Sequence, residues 1–313
     1  GLAVLKTTGS RFRYFLRDAY TTLPDADDRI FATTIEAEWH DASGNDDWTP
    51  LYEAVDAELQ ASLERAIAAN PQWQRLVRNK RLAVGVVDLG DGGQPRFARV
   101  NGNQMMYAAS LPKIAIMLAA YVSFEDGSLE ENEAIHEDLN AMIRVSSNAA
   151  ATRVLDAVGM RKLEQVMRDP QFGFYDEARG GGLWVGKRYA SQGTRRGDPM
   201  FNISHGATAT QVARFYYLLA NRRLINAERS EQMLANLVDP GLHHKFVAEI
   251  EARAPRARIF RKSGTWRDYH SDSVLVQGPN WRNYILVALV QSPDGEQILR
   301  DLVPAVENIL HAE

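Results

Sequence analysis

A serine and a lysine three residues apart, Ser110 and Lys113, have the residue types of a catalytic pair. A serine hydroxyl is a weak nucleophile until a neighbouring base takes its proton, and partial burial lowers the pKa of a lysine enough for that task. The run 111–124 is apolar nearly all round, which predicts a buried helix with Ser110 at its N-terminus. Positions three apart share a helix face, so Lys113 is expected within reach of the Ser110 hydroxyl. Taken alone, the pair is more often a serine cap followed by an exposed lysine.

A second group of polar residues, Ser146, Ser147 and Asn148, separates two runs with helical periodicity. Near the catalytic pair, the Ser146 hydroxyl would join the proton path and Asn148 would hydrogen-bond a substrate amide. Helix capping by short polar side chains explains the same tripeptide without any catalytic role.

A third group, Lys262, Ser263, Gly264 and Thr265, ends a strand-like run. Lys262 and Ser263 would hold a substrate carboxylate, and Gly264 would allow a substrate to approach the backbone closely. The backbone N–H groups of Ser110 and Thr265 would then form an oxyanion hole. The alternative is an exposed edge-strand lysine before a turn.

The elements that must position these groups indicate an α+β fold. Strand-like and helical runs alternate in a clear order, with a predicted helix at 51–68, strands at 81–90 and 95–100, helices at 111–124, 131–145 and 149–159, a capping box at Thr208–Gln211 opening a helix through Leu219, strands at 256–266, 271–278 and 282–290, and a final helix at 296–313. The turns between the last three strands are too short for a crossover, so these strands should be antiparallel. The order predicts one sheet built from both ends of the chain, with an inserted helical lobe. Residues 1–50 are polar and rich in loop-type clusters, which predicts an N-terminal extension.

In combination, the three motifs resemble the S-x-x-K, S-D-N and K-T-G series of class A β-lactamases and penicillin-binding proteins, in the same order. The likeness extends to the strands before Ser110 and to the last three strands and the helix after them, and covers about 50–313. It implies a five-stranded antiparallel sheet flanked by helices in three α/β/α layers, with an all-helical lobe and the active site between the two. The implied hydrolase domain is 51–313, with the lobe at about 112–240.

The sequence departs from that family at three points. Ser147 stands where the family has an aspartate that mainly braces the loop. The interval of 36 residues from Ser110 to Ser146 is short for a class A β-lactamase, which predicts a smaller lobe and a more open cleft. The Gly-rich segment 172–199 lacks the family's E-x-x-L-N motif, whose glutamate activates the water that hydrolyses the acyl-enzyme. Glu177 is the candidate replacement, although a solvated loop carboxylate accounts for it equally.

Other residues of the Gly-rich segment and its surroundings are weaker candidates. Glycines 180–182 predict a flexible stretch, and Asp176 is a second loop carboxylate. Trp184, Lys187, Arg267 and His270 are candidates to line the cleft, while surface positions explain each of them as well. No H-E-x-x-H pattern or other metal-ligand spacing is present, so no metal or cofactor is expected.

Composition limits the partners. The net charge is −4, so the chain has no excess of basic residues that would indicate nucleic-acid binding. The absence of cysteine excludes disulfides and thiolate metal sites. No apolar run is long enough for a transmembrane helix, and the first residues lack a signal-peptide pattern. We expect a monomer that acts on a small-molecule, peptide or ester substrate. The compartment stays open, and would be periplasmic or secreted if a signal peptide has been removed.

The function hypothesis is a serine hydrolase that forms an acyl-enzyme at Ser110 with β-lactams or related cyclic amides and esters. The alternatives are a D-Ala-D-Ala-type peptidase or esterase on the same fold, and a penicillin-sensing domain that is acylated without turnover. The missing glutamate predicts that a penicillin adduct clears slowly.

Overall fold

The computed structural model describes residues 48–90, 94–279 and 281–312. The predicted N-terminal extension, 1–50, lies outside the described residues apart from its last three positions. From Trp48 onward the chain forms one compact unit. Within these ranges no helix is long and apolar enough to cross a membrane.

The elements follow the predicted alternation of strands and helices. In chain order they are α1 (Ala57–Ala69), α2 (Pro71–Arg78), β1 (Leu82–Asp88), β2 (Arg96–Val100), β3 (Met106–Tyr107), α3 (Lys113–Glu125), α4 (Glu133–Arg144), α5 (Asn148–Val158), α6 (Met160–Arg168), β4 (Tyr175–Asp176), a 3-10 turn (Glu177–Arg179), β5 (Gly181–Gly182), β6 (Trp184–Val185), β7 (His205–Ala207), α7 (Ala209–Ala220), α8 (Ala227–Leu237), α9 (Phe246–Arg253), β8 (Arg258–Trp266), β9 (Tyr269–Gln277), β10 (Asn283–Gln291) and α10 (Gly295–Ala312).

The main sheet has five antiparallel strands in the order β2-β1-β10-β9-β8. The early strand β1 pairs with the late strand β10, from Leu82 opposite Val290 to Asp88 opposite Tyr284. The prediction of one antiparallel sheet drawn from both ends of the chain is therefore confirmed. Since β8 is the outermost strand, the motif at its end lies on a sheet edge.

Helices cover both faces of this sheet. On one face α1, α2, α9 and α10 bury an apolar layer that includes Leu63, Phe246 and Val303. On the other face α3 and α7 pack with the remaining helices of the lobe. Every residue of α3 from Lys113 to Tyr121 is buried, as the apolar run predicts. Each fully buried large aliphatic side chain contributes about 1.5–3 kcal/mol relative to exposure, so these layers hold the two sides of the cleft together.

The first helix starts later than its sequence pattern predicts. It begins at Ala57 rather than at Leu51, because Asp56 accepts a hydrogen bond from Leu59 N (2.7 Å) and so forms the N-cap. The residues before it form a turn and a bridge to Phe97 at the sheet edge. Leu51 and Ala54 take part in that contact. Their spacing resembles that of a helix, although neither residue lies in one.

The capping box predicted at Thr208 is only half present. Thr208 Oγ1 accepts from Gln211 N (3.3 Å), which starts α7 as expected. In the described structure the Gln211 side-chain amide makes no hydrogen bond with the Thr208 backbone N–H, which a complete capping box requires. It donates instead to Tyr52 Oη (2.9 Å) and Gly173 O (3.0 Å), so it ties the Gly-rich segment to α7.

The Gly-rich segment 172–199 is packed against the lobe. A Cβ on Gly182 would lie 1.8 Å from Phe174 O, so only glycine fits there. Asp198, which is buried, accepts hydrogen bonds from Ile203 N (2.6 Å) and Tyr175 Oη (3.0 Å) and closes the end of the segment. Gly180 and Gly182 are therefore required by close contact with backbone carbonyls, whatever freedom the rest of the segment has.

Candidate active site

Ser110 lies in the turn that leads from β3 into α3. The turn is held from both sides, because Ala108 N donates to His205 O (2.8 Å) and Ser271 Oγ donates to Ala108 O (2.8 Å). The Ser110 side chain is partly exposed, and among the described residues its hydroxyl has no hydrogen-bond partner. It does not cap α3, whose N-terminus has no side-chain cap. The hydroxyl is thus available to a ligand.

Lys113 is fully buried at the start of α3. Its Nζ donates to Ser146 O (2.6 Å) and Asn148 Oδ1 (2.8 Å) and lies 3.4 Å from Ser146 Oγ. No hydrogen bond joins Lys113 to the Ser110 hydroxyl in the described chain. A buried ammonium needs strong acceptors, and the carbonyl and amide oxygens supply them better than a hydroxyl does. Burial lowers the pKa of Lys113 to about 7.

Ser146 connects the two motif lysines. Its Oγ accepts a hydrogen bond from Lys262 Nζ (2.9 Å), on the side opposite Lys113. Its backbone adopts a left-handed conformation (φ 58°), which turns the side chain between the lysines. The neighbouring Ser147 caps α5, so the capping interpretation holds for Ser147, whereas the Ser146 hydroxyl lies between the two lysines.

Lys262 and Ser263 lie buried on β8, 1% and 4% exposed. Lys262 Nζ also donates to Ser263 O (2.7 Å). Burial, followed by the positive charges of Lys113 and Arg261, lowers the pKa of Lys262 well below its ordinary value. Ser263 Oγ makes no hydrogen bond with any described residue, so it stays available to a ligand.

Gly264 is required by close contact with the protein's own backbone. A Cβ there would lie 2.3 Å from Ala108 O and 2.5 Å from Ser110 N. The strand β8 therefore runs directly against the turn that carries the serine.

Thr265 ends the motif beside a two-residue hairpin turn. Trp266 pairs with Tyr269 across that turn, and Thr265 pairs with His270. In an antiparallel ladder closed by a two-residue turn, hydrogen-bonded and open pairs alternate from the turn inward. The N–H of Thr265 is accordingly expected to point to the free edge of β8, where Ser110 N lies near Gly264.

Lys245 is a buried cation that the sequence motifs do not indicate. Its Nζ donates to Gly264 O (2.7 Å), Thr265 Oγ1 (2.7 Å) and Ser271 O (3.1 Å). Burial lowers its pKa to about 8, although Asp272 acts in the opposite direction. These hydrogen bonds stabilise the end of β8. The residue lies in an irregular segment before α9, so no periodicity points to it.

A buried ion pair supports the same strand from inside the sheet. Arg261 and Asp272 are 3% and 0% exposed and form two hydrogen bonds, Nε–Oδ1 (2.7 Å) and Nη2–Oδ2 (2.9 Å). Asp272 is the carboxylate that faces Arg261, Lys245 and Lys262. Removing one partner of such a pair leaves an uncompensated buried charge.

We therefore expect Asp272→Asn to lower the free energy of unfolding by about 3–5 kcal/mol. Urea denaturation followed by circular dichroism measures it. The control is Asp138→Asn, which breaks a surface pair with Arg153 (62% exposed) and should cost no more than about 1 kcal/mol. Equal effects of the two substitutions would contradict a special role for the buried pair.

The loop carboxylates lie apart from the three motifs. Glu177 is 55% exposed and pairs with Arg168 (Oε1–Nη2 2.6 Å). Asp176 accepts from Ala178 N (2.9 Å) and pairs with Arg179. The contacts of Glu177 are those of a solvated surface carboxylate and include none of the motif residues, so they give no support to its candidacy as the deacylating base.

The remaining candidates have local partners. Trp184 is buried and donates to Arg196 O (3.1 Å), Lys187 Nζ donates to Ser191 O (3.3 Å), Arg267 lies over the Trp266 ring (4.4 Å), and His270 pairs with Thr265 in the ladder. None of these contacts links a side chain to Ser110 or Lys113. The described ranges also contain no group of three or more metal-ligating side chains.

A five-stranded antiparallel sheet beside a helical lobe, with a serine and lysine at their junction, is the fold of the class A β-lactamases. The profile of the Beta-lactamase enzyme family matches residues 68–138 and 134–310, and the chain belongs to this family.

Solved structures agree on the fold. A β-lactamase from Sphaerobacter thermophilus DSM 20745 is 20% identical, with a TM-score of 0.60 over 81% of this chain and 98% of that chain. A mutant form of PBP-A, solved as an acyl-enzyme complex with penicillin G, is 16% identical, with a TM-score of 0.63 over 85% and 100% of the two chains. At these identities the likeness concerns the fold alone.

The N-terminal residues resemble a different family. The profile of uricase matches residues 1–67. The uricase of Arthrobacter globiformis is 47% identical over 55 residues, which make up 18% of this chain and 18% of that protein. The uricase of Emericella nidulans is 60% identical over 38 residues, 12% and 13% of the two chains. The chain thus spans less than a fifth of the curated uricases it matches.

Proposed function

We propose that this protein is a serine hydrolase that forms an acyl-enzyme at Ser110 with β-lactams or related cyclic amides and esters. The observation that carries the proposal is the Ser146 hydroxyl held between two buried lysines, Lys113 and Lys262, beside Ser110, whose hydroxyl has no partner among the described residues. Buried lysines are costly, and residues with strongly shifted pKa values gather at catalytic sites.

The acylation step follows from these groups. Ser110 Oγ attacks the substrate carbonyl carbon while its proton passes to the neutral amine of Lys113. Catalytic hydrogen bonds are often long or misaligned without substrate, so a modest turn of the Lys113 side chain completes the contact. The carbonyl oxygen becomes negative and accepts hydrogen bonds from the N–H groups of Ser110 and Thr265.

The second half of acylation breaks the amide or ester bond. Ser146 donates its proton to the leaving nitrogen or oxygen, and Lys113 returns the proton it took to Ser146. Asn148 binds the amide of the substrate side chain. Lys262, Ser263 and Thr265 hold the substrate carboxylate, which also offsets the excess of buried positive charge.

The position of Glu177 favours slow deacylation. Hydrolysis of the acyl-serine ester needs a base within hydrogen-bond reach of a water on the carbonyl, and Glu177 instead pairs with Arg168 at the surface. This observation supports a second candidate function, a penicillin-binding D-Ala-D-Ala-type peptidase or a sensor that is acylated and clears slowly.

Intact mass spectrometry after mixing with benzylpenicillin tests the proposal, with a chromogenic cephalosporin to count turnovers per protein molecule. An adduct of penicillin mass is the expected result, and its lifetime decides between the candidates. Many turnovers with no visible adduct would establish a β-lactamase and contradict slow deacylation. Neither adduct nor turnover would overturn the assignment to β-lactams.

Acylation should depend on the protonation of Lys113. The amine acts as a base only when neutral, and its pKa is about 7, so the acylation rate should rise as the pH increases through about 7 and then level off. His205 has a pKa lowered to about 4 by burial and stays neutral over this range. Stopped-flow acylation between about pH 5 and about pH 9 measures the profile. A flat profile would contradict the role of Lys113.

We also propose that the hydrolase domain starts near residue 51 and that the preceding residues are a separate extension. A chain starting at Trp48 should keep its melting temperature and its adduct, whereas a chain starting at Asn70 should unfold. The second truncation removes α1, whose Leu59, Leu63 and Ile67 are buried in the core. Thermal melts of both chains test this. Unfolding of the first would place the domain boundary before Trp48.

A further inference from the structure

Tyr189 lies in the Gly-rich segment directly over the catalytic lysine. Its ring centroid is 4.6 Å from Lys113 Nζ. Its hydroxyl donates to Ala109 O (3.1 Å), the carbonyl of the residue just before Ser110. One side chain therefore contacts both the lysine and the turn that carries the serine. No sequence motif indicates this residue.

The ring is held firmly from behind. It packs against the His205 ring with a centroid distance of 4.4 Å. His205 is itself buried and bonded at both ring nitrogens, Nε2 to Lys187 O (3.0 Å) and Nδ1 to Ser204 Oγ (3.2 Å). Because His205 is hydrogen-bonded at both ring nitrogens, the Tyr189 ring packed against it has little freedom to move away from Lys113.

The phenol cannot replace a loop glutamate as a base. Burial raises the pKa of Tyr189 well above its ordinary value, so at neutral pH it keeps its proton. That proton is also engaged with Ala109 O. What the ring does offer is an apolar face that takes up the space a water would need beside Lys113.

We propose that Tyr189 is a positioning residue that closes the loop side of Lys113 and Ser110 to water. In the free protein it keeps Lys113 dry and turned toward Ser146 and Asn148. In the acyl-enzyme it keeps water from approaching the ester from the loop side. The expected effect on the adduct rests on the proposed function. The shielding of Lys113 from water rests on geometry alone.

The test compares Tyr189→Ala with Tyr189→Phe. Phenylalanine keeps the ring and loses only the hydroxyl, so it serves as the matched control. Acylation rate and adduct lifetime with benzylpenicillin are measured separately, and melting temperatures confirm the fold. We expect the adduct of Tyr189→Ala to clear at least about 10-fold faster, while Tyr189→Phe stays within about threefold of the parent protein. An unchanged lifetime in Tyr189→Ala would overturn the role in the adduct.

Chemical labelling tests the shielding without any substrate. Reductive methylation followed by peptide mass mapping reports the reactivity of each lysine. Lys113 should be protected in the parent and in Tyr189→Phe, and should react at least about 10-fold faster in Tyr189→Ala, since removal of the ring admits water and reagent. Lys245, whose Nζ donates to Gly264 O, Thr265 Oγ1 and Ser271 O, is the internal control and should stay protected throughout.

The two measurements distinguish a failure of the proposed function from a failure of this inference. If the parent forms no adduct, the proposed function fails, and the labelling still decides whether Tyr189 shields Lys113. If the parent is acylated and Lys113 stays protected in the folded Tyr189→Ala variant, this inference fails and the proposed function stands.

Discussion

Ser110→Ala is expected to abolish the benzylpenicillin adduct completely while leaving the fold unchanged. The substitution removes one oxygen atom that has no hydrogen-bond partner among the described residues, so stability should change by less than about 0.5 kcal/mol. Loss of a catalytic nucleophile reduces rates by a factor on the order of 10³ or more. Intact mass and a thermal melt measure the two effects.

The matched control for this variant is Ser128→Ala, which removes the hydroxyl of an exposed serine after α3. It should be acylated like the parent. A penicillin adduct that survives on Ser110→Ala would show that another nucleophile reacts, and peptide mapping would locate it.

Lys113→Met is expected to slow acylation by about 10²–10⁴-fold, the usual contribution of a positioned general base. Methionine matches the length of the lysine stem, so the core around α3 stays filled. The backbone carbonyl of Ser146 and the amide of Asn148 lose their donor, which will cost some stability as well. Stopped-flow acylation gives the rate, and a melt gives the stability.

Lys162→Met is the control for the loss of a lysine, since Lys162 pairs with Asp126 on the surface. Its acylation rate should equal that of the parent. A Lys113→Met rate within about threefold of the parent would move the role of base to another group, with Ser146 between its two lysines the first to consider.

The sequence predicts the sheet and its site because the relevant signals are local. Strand-like runs with short turns define the antiparallel order, and the motifs at Ser110, Ser146 and Lys262 lie at the ends of elements that this order brings together. The orientation of Lys113 is different. It depends on where the turn between α4 and α5 places the Ser146 carbonyl, which is a tertiary contact that no spacing encodes.

The residues that were missed lie outside regular elements. Lys245 and Tyr189 lie in irregular segments, so neither periodicity nor a motif points to them. Gly264 and Gly182 are glycines because a side chain at either position would collide with the protein's own backbone. The sequence alone shows that the side chain is absent, but not which contact requires its absence. The predicted extension at 1–50 rested on polar composition, which gave no hint of the likeness to uricase.

The buried cations of the cleft also have a consequence for how ligands are detected. Lys113, Lys245, Arg261 and Lys262 lie on or under β8 and α3, with Asp272 as the carboxylate among them. Burial, and then the positive charges of Lys113 and Arg261, leave an unfavourable charge balance around Lys262. An anion that enters the cleft relieves it and binds only the folded form, so its affinity is added to the stability of the domain as RT ln(1 + [L]/Kd). A melting curve thereby becomes a binding assay, and carboxylates can be ranked as ligands by the temperature at which the protein unfolds, whether or not they are ever turned over.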